Sequence, residues 1–119
     1  MSTTTGRKAE SIVAEYLIAN GYRILDVNWR TRRSEIDIVA LKKVGFLRSA
    51  QVAICVEVKY RSTDRQGSGL AYITPKKLQQ MQFAAKEWIH ESGWNGDVRL
   101  LAVAVTGLDF RITETVWLD

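Results

Sequence analysis

The sequence predicts a single α/β domain in which a mixed β-sheet is flanked by helices, with the element order αβββαββ. Two segments carry apolar residues at helical spacing, and the segments between and after them alternate in the manner of strands. One late segment, "VRLLAVAV", is almost continuously apolar, as expected for a strand covered on both faces. The length of 119 residues, with 46% hydrophobic and 25% charged, suits one globular domain over residues 1–119.

The first helix is predicted from about Arg7 to Ala19, within "GRKAESIVAEYLIANGY". The Asn20-Gly21 pair that follows suits a left-handed C-cap, which ends many helices. The residues before the helix, "MSTTT" at positions 1–5, are predicted to be disordered, because chain ends become ordered only where packing holds them.

Three strands are predicted after the first helix. "YRILDVNWRT" and "SEIDIVALK" alternate, and the short basic turn between them would join them as a hairpin. In the second segment Ile36, Ile38 and Ala40 are expected on one face, with Asp37 on the other. The third strand is "QVAICVEVKYR", preceded by "VGFLRSA" as a loop or second hairpin turn. The next segment, "STDRQGSG", has the composition of a mobile loop.

The second helix, "TPKKLQQMQFAAKEWIHES", has a clear start signal in the sequence. Thr74 can cap its N-terminus, and Pro75 suits the first helical position. Gly93 marks its end. Two strands close the chain: "VRLLAVAV" as a central strand and "FRITETVWL" as an edge strand.

Composition and segment lengths exclude several classes of protein. No apolar run approaches the length that spans a membrane, and the N-terminus lacks the apolar stretch of a signal peptide. Cys55 is the single cysteine, so the chain cannot form an internal disulfide. These features predict a cytoplasmic protein with no membrane partner.

The charge balance is mildly basic, with a net charge of +4 and a pI of about 9.4. Basic side chains form two groups, in "WRTRRS" and "KYRSTDRQGSG", which include Arg30, Arg32, Arg33, Lys59 and Arg61. Each group is either solvated loop charge or part of a surface that binds a phosphate backbone. Tryptophans usually pack in cores and at sheet edges, and Trp29, beside the first group, is the one to test for base stacking.

Two carboxylates occupy positions where apolar residues are expected. Glu10 lies within the apolar stripe of the first helix, beside Val13 and Leu17, and Asp37 stands in the middle of a strand. Burying a carboxylate costs several kcal/mol unless a cation or hydrogen-bond donors compensate. The alternative for Glu10 is a place near the helix start, where the macrodipole favours an acid. The alternative for Asp37 is a solvated sheet face.

A third acid follows on the next strand, in "CVEVKYR", where Glu57 and Lys59 are two residues apart and share a face. An acid on the first helix, an aspartate in a strand and an E-x-K triplet on the following strand together resemble the PD-(D/E)xK nucleases. That resemblance implies the restriction-endonuclease-like fold. Its matching residues in this chain are Glu10, Asp37, Glu57 and Lys59.

More specifically, the chain resembles the YraN-like proteins (uncharacterised protein family 0102), relatives of the Holliday-junction resolvase-like nucleases. The resemblance covers nearly the whole chain and rests on "GRKAESIVAEYLIANGYRIL", "NWRTRRSEIDIVA", "VEVKYRS" and "ITPKKLQQM". Three positions depart from the family pattern, since Ala9 and Ser34 replace glycines and Leu101 replaces an aspartate. The proposed site residues are present despite these departures.

The resemblance implies a Mg²⁺- or Mn²⁺-dependent endonuclease that acts on DNA, including branched or structured DNA. Asp37, Glu57 and the carbonyl of Val58 would bind the metal ion. Lys59 would assist the attacking water, and Glu10 would complete the acidic shell. Contacts to the nucleic-acid backbone would come from the basic residues Arg30, Arg32, Arg33, Arg61 and Lys77.

Several alternatives remain open in the sequence. Lys77 shares a helix face with Met81 and Trp88, and it could reach over the cleft toward phosphate or extend outward from the first helical turn. The chain could also be a nucleic-acid-binding module of the same fold without turnover, or a structural adaptor whose charged strand face binds protein. A two-fold branched DNA substrate would favour a homodimer.

Overall fold

The described part of the chain folds into two helices and five strands, in the order predicted from the sequence. A computed structural model describes residues 4–45, 50–63, 70–71 and 73–118. The elements are α1 (Thr4–Ala19), β1 (Arg23–Arg30), β2 (Glu35–Val44), β3 (Ala50–Arg61), α2 (Pro75–Ser92), β4 (Asp97–Thr106) and β5 (Arg111–Trp117). The predicted loops "VGFLRSA" and "STDRQGSG" lie largely outside the described residues.

The five strands form one mixed sheet in the order β1-β2-β3-β4-β5. The pairs β1–β2, β2–β3 and β4–β5 are antiparallel, whereas β3 and β4 are parallel. A parallel pair needs a crossover connection, and α2 lies in the segment that joins β3 to β4. The mixed α/β architecture predicted from the sequence is confirmed, and it is compatible with a nuclease-like fold.

The two helices cover opposite faces of the sheet. The apolar side chains packed between α1 and the sheet include Val13, Leu17, Ile38, Val56 and Val103. Those packed between α2 and the sheet include Val39, Cys55, Met81, Ala84, Trp88 and Leu100. The apolar run of β4 is therefore buried on both sides, as its sequence predicts. Neither described helix is long and apolar enough to cross a membrane.

The helix ends follow the cap signals, except at the start of α1. Thr74 Oγ1 accepts the N–H of Lys77 over 3.1 Å, and Gly93 ends α2 with a left-handed φ of 73°. Helix α1 begins at Thr4, three residues before the predicted start at about Arg7 and within the segment predicted to be disordered. Extending a formed helix adds one hydrogen bond for each residue fixed, which favours such an extension. Residues 1–3 lie outside the described residues.

The alternation of side chains between the two sheet faces, predicted for β2, does not hold at the start of the strand. Ile38 and Ala40 face α1 as expected, but Ile36 packs on the α2 side with Val39. On the neighbouring strand Asn28 has a positive φ of 56° between the pairs Val27↔Ile38 and Trp29↔Ile36. The left-handed backbone of Asn28 thus lies opposite Asp37, at the level where the alternation of β2 is lost.

Candidate active site

The candidate site lies where β2 separates from β3. The two strands pair from Ile38↔Val56 to Val44↔Ala50. One residue before Ile38, the Oδ2 atom of Asp37 accepts the backbone N–H of Val58 over 2.8 Å. A side-chain oxygen thus bonds to β3 just beyond the last strand pair, and this bond holds the carboxylate of Asp37 between the strands.

Glu57 projects from β3 toward α2, because Cys55, two residues earlier, packs on that side. Its Oε2 atom lies 3.1 Å from the Nζ atom of Lys77, and the two side chains are 18% and 31% exposed. Lys77 therefore reaches inward over the strands from the first turn of α2. Of the two positions open in the sequence, the inward one is observed.

The ionisation of Asp37 and Glu57 is strongly perturbed. Burial raises the pKa of Asp37 to about 7, and the charge of Glu57 adds to this, against the opposing hydrogen bond from Val58. Burial also raises the pKa of Glu57, while the charge and hydrogen bond of Lys77 oppose the rise. Glu35 contributes a smaller increase to both pKa values. The site thus concentrates negative charge, which Lys77 and Lys59 partly offset at Glu57.

Glu10 approaches the same site from the opposite face of the sheet. It is buried in α1, with 6% of its surface exposed, and its charge helps to raise the pKa of Asp37. Because α1 begins at Thr4, Glu10 lies beyond the first helical turn, where the macrodipole acts most strongly. Of the two alternatives for Glu10, the buried position in the interior is therefore observed, and the position near the helix start is not.

The remaining strand residues of the predicted site take different positions. Lys59 is exposed, and its positive charge lowers the pKa of Glu57. The side chain of Val58 packs against the α1 side of the core, while its N–H holds Asp37. Arg61 is half-buried at the end of β3. A metal-binding role for the carbonyl of Val58 stays a prediction.

A polar cleft of about 510 Å³ opens beside Glu57. Its wall on α2 includes Lys76 and Lys77, and its wall on the β1–β2 turn includes Arg33 and Glu35. Arg30 lies within 3.4 Å of Glu35 through its Nη2 atom, so part of its charge is directed at an acid of the cleft edge. Arg32 and Arg33 are exposed. The first basic group thus adjoins the cleft.

The β1–β2 turn is tied to α2 by Glu87. Its Oε1 atom accepts hydrogen bonds from the hydroxyls of Thr31, over 2.8 Å, and Ser34, and its Oε2 atom accepts one from Arg33 over 3.0 Å. Thr31 Oγ1 in turn accepts the N–H groups of Arg33 and Ser34 over 3.1 Å. These hydrogen bonds lower the pKa of Glu87, led by the one from Ser34. The turn that leads into Glu35 and β2 is therefore anchored.

The three departures from the family pattern all have a place in the structure. Ser34 uses its hydroxyl to contact Glu87, a bond that glycine could not make. Ala9 is fully buried, and Leu101 is 4% exposed, both in the core beneath α1. None of the three removes a residue from the cleft.

Sequence patterns missed two residues beside the site, Glu87 and Phe83. Both lie on α2 away from its buried stripe, so each resembles an ordinary surface residue of a helix. An aromatic side chain on a helix face otherwise occupied by polar residues was the available signal for Phe83. Trp29, the tryptophan singled out for stacking, is half-buried against the α2 side of the core.

The donors at this site suit a hard divalent cation. Within the described ranges, no three His, Cys, Asp or Glu side chains converge as a metal cluster. Mg²⁺ needs fewer protein ligands, because it is commonly held by one or two carboxylates together with waters and a substrate phosphate. A divalent cation would also relieve the charge crowding that raises the pKa of Asp37. Asp37 and Glu57 therefore fit such an ion.

Comparisons with known proteins agree on one family. The model of "Uncharacterised protein family UPF0102" matches residues 9–105. A UPF0102 protein of Leifsonia xyli subsp. xyli is 38% identical over 101 residues, which cover 84% of this chain and 80% of the relative. A UPF0102 protein of Tropheryma whipplei (strain Twist) is 40% identical over 106 residues, covering 85% and 80% respectively. The chain therefore belongs to the uncharacterised protein family UPF0102, the YraN-like family that its motifs resemble.

Proposed function

We propose that this protein is a Mg²⁺- or Mn²⁺-dependent nuclease that hydrolyses phosphodiester bonds in DNA. The observation that carries the proposal is the pair of half-buried carboxylates, Asp37 and Glu57, which both have raised pKa values. Glu57 also lines a cleft together with Lys76 and Lys77. A purely structural pair of acids would be expected to have a matched cation for each carboxylate. Here the nearest anchor of Asp37 is a backbone N–H.

Asp37 and Glu57 would hold the metal ion, with the Val58 carbonyl as a further ligand. When bound, the ion would polarise a phosphoryl oxygen and lower the pKa of a bound water. The N–H of Val58 fixes the Oδ2 atom of Asp37, so the orientation of that carboxylate is set before a ligand arrives. Glu10 would add negative charge behind Asp37 from the α1 side.

Two lysines would act on the substrate. Lys59 is exposed next to Glu57 and would orient the attacking water and offset the charge that develops on the phosphoryl oxygens. Lys77 holds Glu57 through their 3.1 Å contact and would turn toward a substrate phosphate that enters the cleft. Arg30, Arg32, Arg33 and Arg61 would contact the nucleic-acid backbone, which contributes affinity rather than sequence preference.

A second candidate function is a nucleic-acid-binding module with the same fold and no turnover. It is favoured by one observation, since no three potential metal-ligating side chains converge among the described residues. The two candidates share the basic surface and differ in the fate of the phosphodiester bond. They are therefore separated by cleavage and not by binding.

The experiment compares wild type with Asp37→Asn and Lys59→Ala on labelled single-stranded and four-way-junction DNA, with Mg²⁺, with Mn²⁺ and with EDTA. We expect metal-dependent cleavage that falls by about a hundredfold or more in each variant, as for the loss of one charge-stabilising group. Calorimetry with Mn²⁺ should detect binding to wild type and weaker binding to Asp37→Asn.

Asp26→Asn is the matched control, because Asp26 is an exposed aspartate on the neighbouring strand β1, where its Oδ1 atom accepts the N–H of Val27 over 2.9 Å. This variant should cleave like wild type. Equal cleavage by wild type and Asp37→Asn would refute the proposal and point to a contaminating nuclease. DNA binding without cleavage in any sample would favour the binding module.

A further inference from the structure

A second groove, of about 610 Å³, adjoins the cleft on the outer side of α2. It runs between the β1–β2 turn and the exposed face of the helix, where Lys86 and His90 lie. Arg33 and Phe83 line both the groove and the cleft, so they stand at the junction of the two cavities. A strand that runs from the groove into the cleft would therefore pass these two side chains.

Positive charge predominates along the groove. The cations that line it are Arg30, Arg32, Arg33 and Lys86, against the carboxylates of Glu87 and Glu91. Glu87 is already engaged by Arg33 and the turn hydroxyls. Arg30 is likewise directed at Glu35, so the remaining excess comes from Arg32 and Lys86 against Glu91. This excess is positive and therefore complementary to an anionic chain such as a phosphate backbone.

Phe83 is an apolar ring on the polar side of α2. It is 42% exposed, whereas Met81, Ala84 and Trp88 bury the opposite side of the helix. The guanidinium carbon of Arg33 lies 5.4 Å from the centre of the ring, and the same guanidinium is bonded to Glu87. An exposed ring and a planar cation that lies over it are thus held together at the junction. Unpaired bases stack on aromatic rings and on arginine planes.

We propose that Phe83 and Arg33 form a stacking subsite for an unpaired base. The base would belong to a nucleic-acid strand whose backbone follows the groove and enters the cleft. This inference rests on the proposed function and narrows it to substrates that present an unpaired nucleotide next to the scissile phosphate, such as single strands, frayed ends or branch points. A fully paired duplex hides its bases within the stack and cannot occupy the subsite.

The test measures binding in EDTA, so that it is independent of catalysis. The probes are fluorescent oligothymidine and oligouridine of about 12 nucleotides, together with a DNA duplex of the same length. Phe83→Leu removes the ring but keeps an apolar, helix-compatible side chain, and Phe83→Tyr restores a ring. Tyr16→Leu is the matched control, since Tyr16 is 40% exposed on the other helix, which covers the opposite face of the sheet.

We expect Phe83→Leu to weaken single-strand binding by at least about fivefold, because base stacking on an aromatic ring contributes on the order of 1 kcal/mol or more. Duplex binding should change by less than twofold. Phe83→Tyr should bind single strands like wild type, and Tyr16→Leu should leave both affinities unchanged. Comparison of oligothymidine with oligouridine then identifies which type of strand binds better.

Equal loss of single-strand and duplex affinity in Phe83→Leu would overturn the subsite, as would no loss, or no binding of any probe. An equal loss in Tyr16→Leu would also overturn it. The two proposals fail separately. If the protein cleaves DNA with metal, and Phe83→Leu changes neither this cleavage nor single-strand binding, the subsite is refuted and the nuclease proposal stands. If single-strand binding depends on the ring of Phe83 but the protein cleaves no substrate, the nuclease proposal is refuted and the subsite stands.

Discussion

Asp37 shows how the surroundings of a carboxyl group can disfavour its charged form. Its carboxylate accepts a single N–H from Val58, while burial and the charge of Glu57 oppose its negative form. The hydrogen bond fixes the side chain but does not offset the loss of water. The folded protein therefore holds a proton on this side chain at a pH where the unfolded chain has released it.

The raised pKa of Asp37 predicts that stability without metal falls as pH rises. The pKa is about 7 in the folded state against an ordinary value of 3.8. The contribution of Asp37 is complete below the unfolded pKa and is lost as pH rises through the folded pKa. Between pH 5 and pH 8 the free energy of unfolding should fall by roughly 2–3 kcal/mol from this group, with Glu57 acting in the same direction.

Urea denaturation in EDTA at several pH values measures this slope. Asp37→Asn retains an oxygen that can accept the N–H of Val58 and removes the titration, so its stability should vary less with pH and exceed that of wild type at pH 8. The two proteins differ at this one side chain, so the difference between their pH profiles reports Asp37. Parallel pH profiles for the two proteins would contradict the prediction.

At the scale of elements, the β1–β2 turn owes its position to one glutamate of α2. Glu87 gathers the hydroxyls of Thr31 and Ser34 and the guanidinium of Arg33. The turn leads directly into Glu35 and the start of β2. Helix α2 therefore covers the core and also fixes the position of the β1–β2 hairpin, which carries Asp37.

Glu87→Ala should loosen the turn without unfolding the core. The hydroxyls of Thr31 and Ser34 would lose their shared acceptor, and the N–H groups of Arg33 and Ser34, which bond to Thr31 Oγ1, should exchange with solvent several-fold faster. Hydrogen exchange followed by NMR measures both amides. Glu91→Ala, one turn further along the same helix, is the control and should leave them unchanged. Unchanged exchange in Glu87→Ala would show that the turn holds itself.

The elements and their caps could be predicted because their signals are local. Thr74, Pro75 and Gly93 bound α2 as their chemistry indicates, and the apolar run of β4 is buried on both sides. The face of Ile36 does not follow the alternation of β2, and the partner strand has an unusual backbone at the same level, the positive φ of Asn28. Alternation reports the face of a regular strand, and β2 is irregular where the site begins.

The candidate site was predictable in its acids and lysine but not in its supporting contacts. Glu10 and Asp37 stood out because carboxylates rarely occupy apolar positions without a reason. The contact between Lys77 and Glu57 joins residues far apart in the chain, so helical spacing left the direction of Lys77 open. Glu87 and Phe83 carried weaker signals still, since a surface position on a helix accepts nearly any residue.

At the scale of the whole molecule, the net charge of +4 matters less than where the cations lie. Arg32 and Arg33 stand at the groove beside the cleft, whereas Arg23 is exposed at the far end of β1, roughly 20 Å away along the strand. If a phosphate backbone lies along the groove, the arginines at the groove wall should contact phosphates and release counterions from the nucleic acid. Arg23 should make no such contact. The total charge lost is the same in either substitution.

Arg32→Ala should therefore weaken single-stranded DNA binding and flatten its salt dependence, and Arg23→Ala should do neither. Each phosphate contact removed should reduce the slope of log K against log salt by about 0.7 for a single strand. Fluorescence anisotropy in EDTA between about 50 and 200 mM KCl measures the slope for wild type and both variants. Equal flattening in both variants would mean that DNA responds only to net charge, and a salt-independent affinity would favour an adaptor that binds protein. A loss confined to Arg32→Ala would assign the path of the strand to the groove, whether or not the cleft then cuts it.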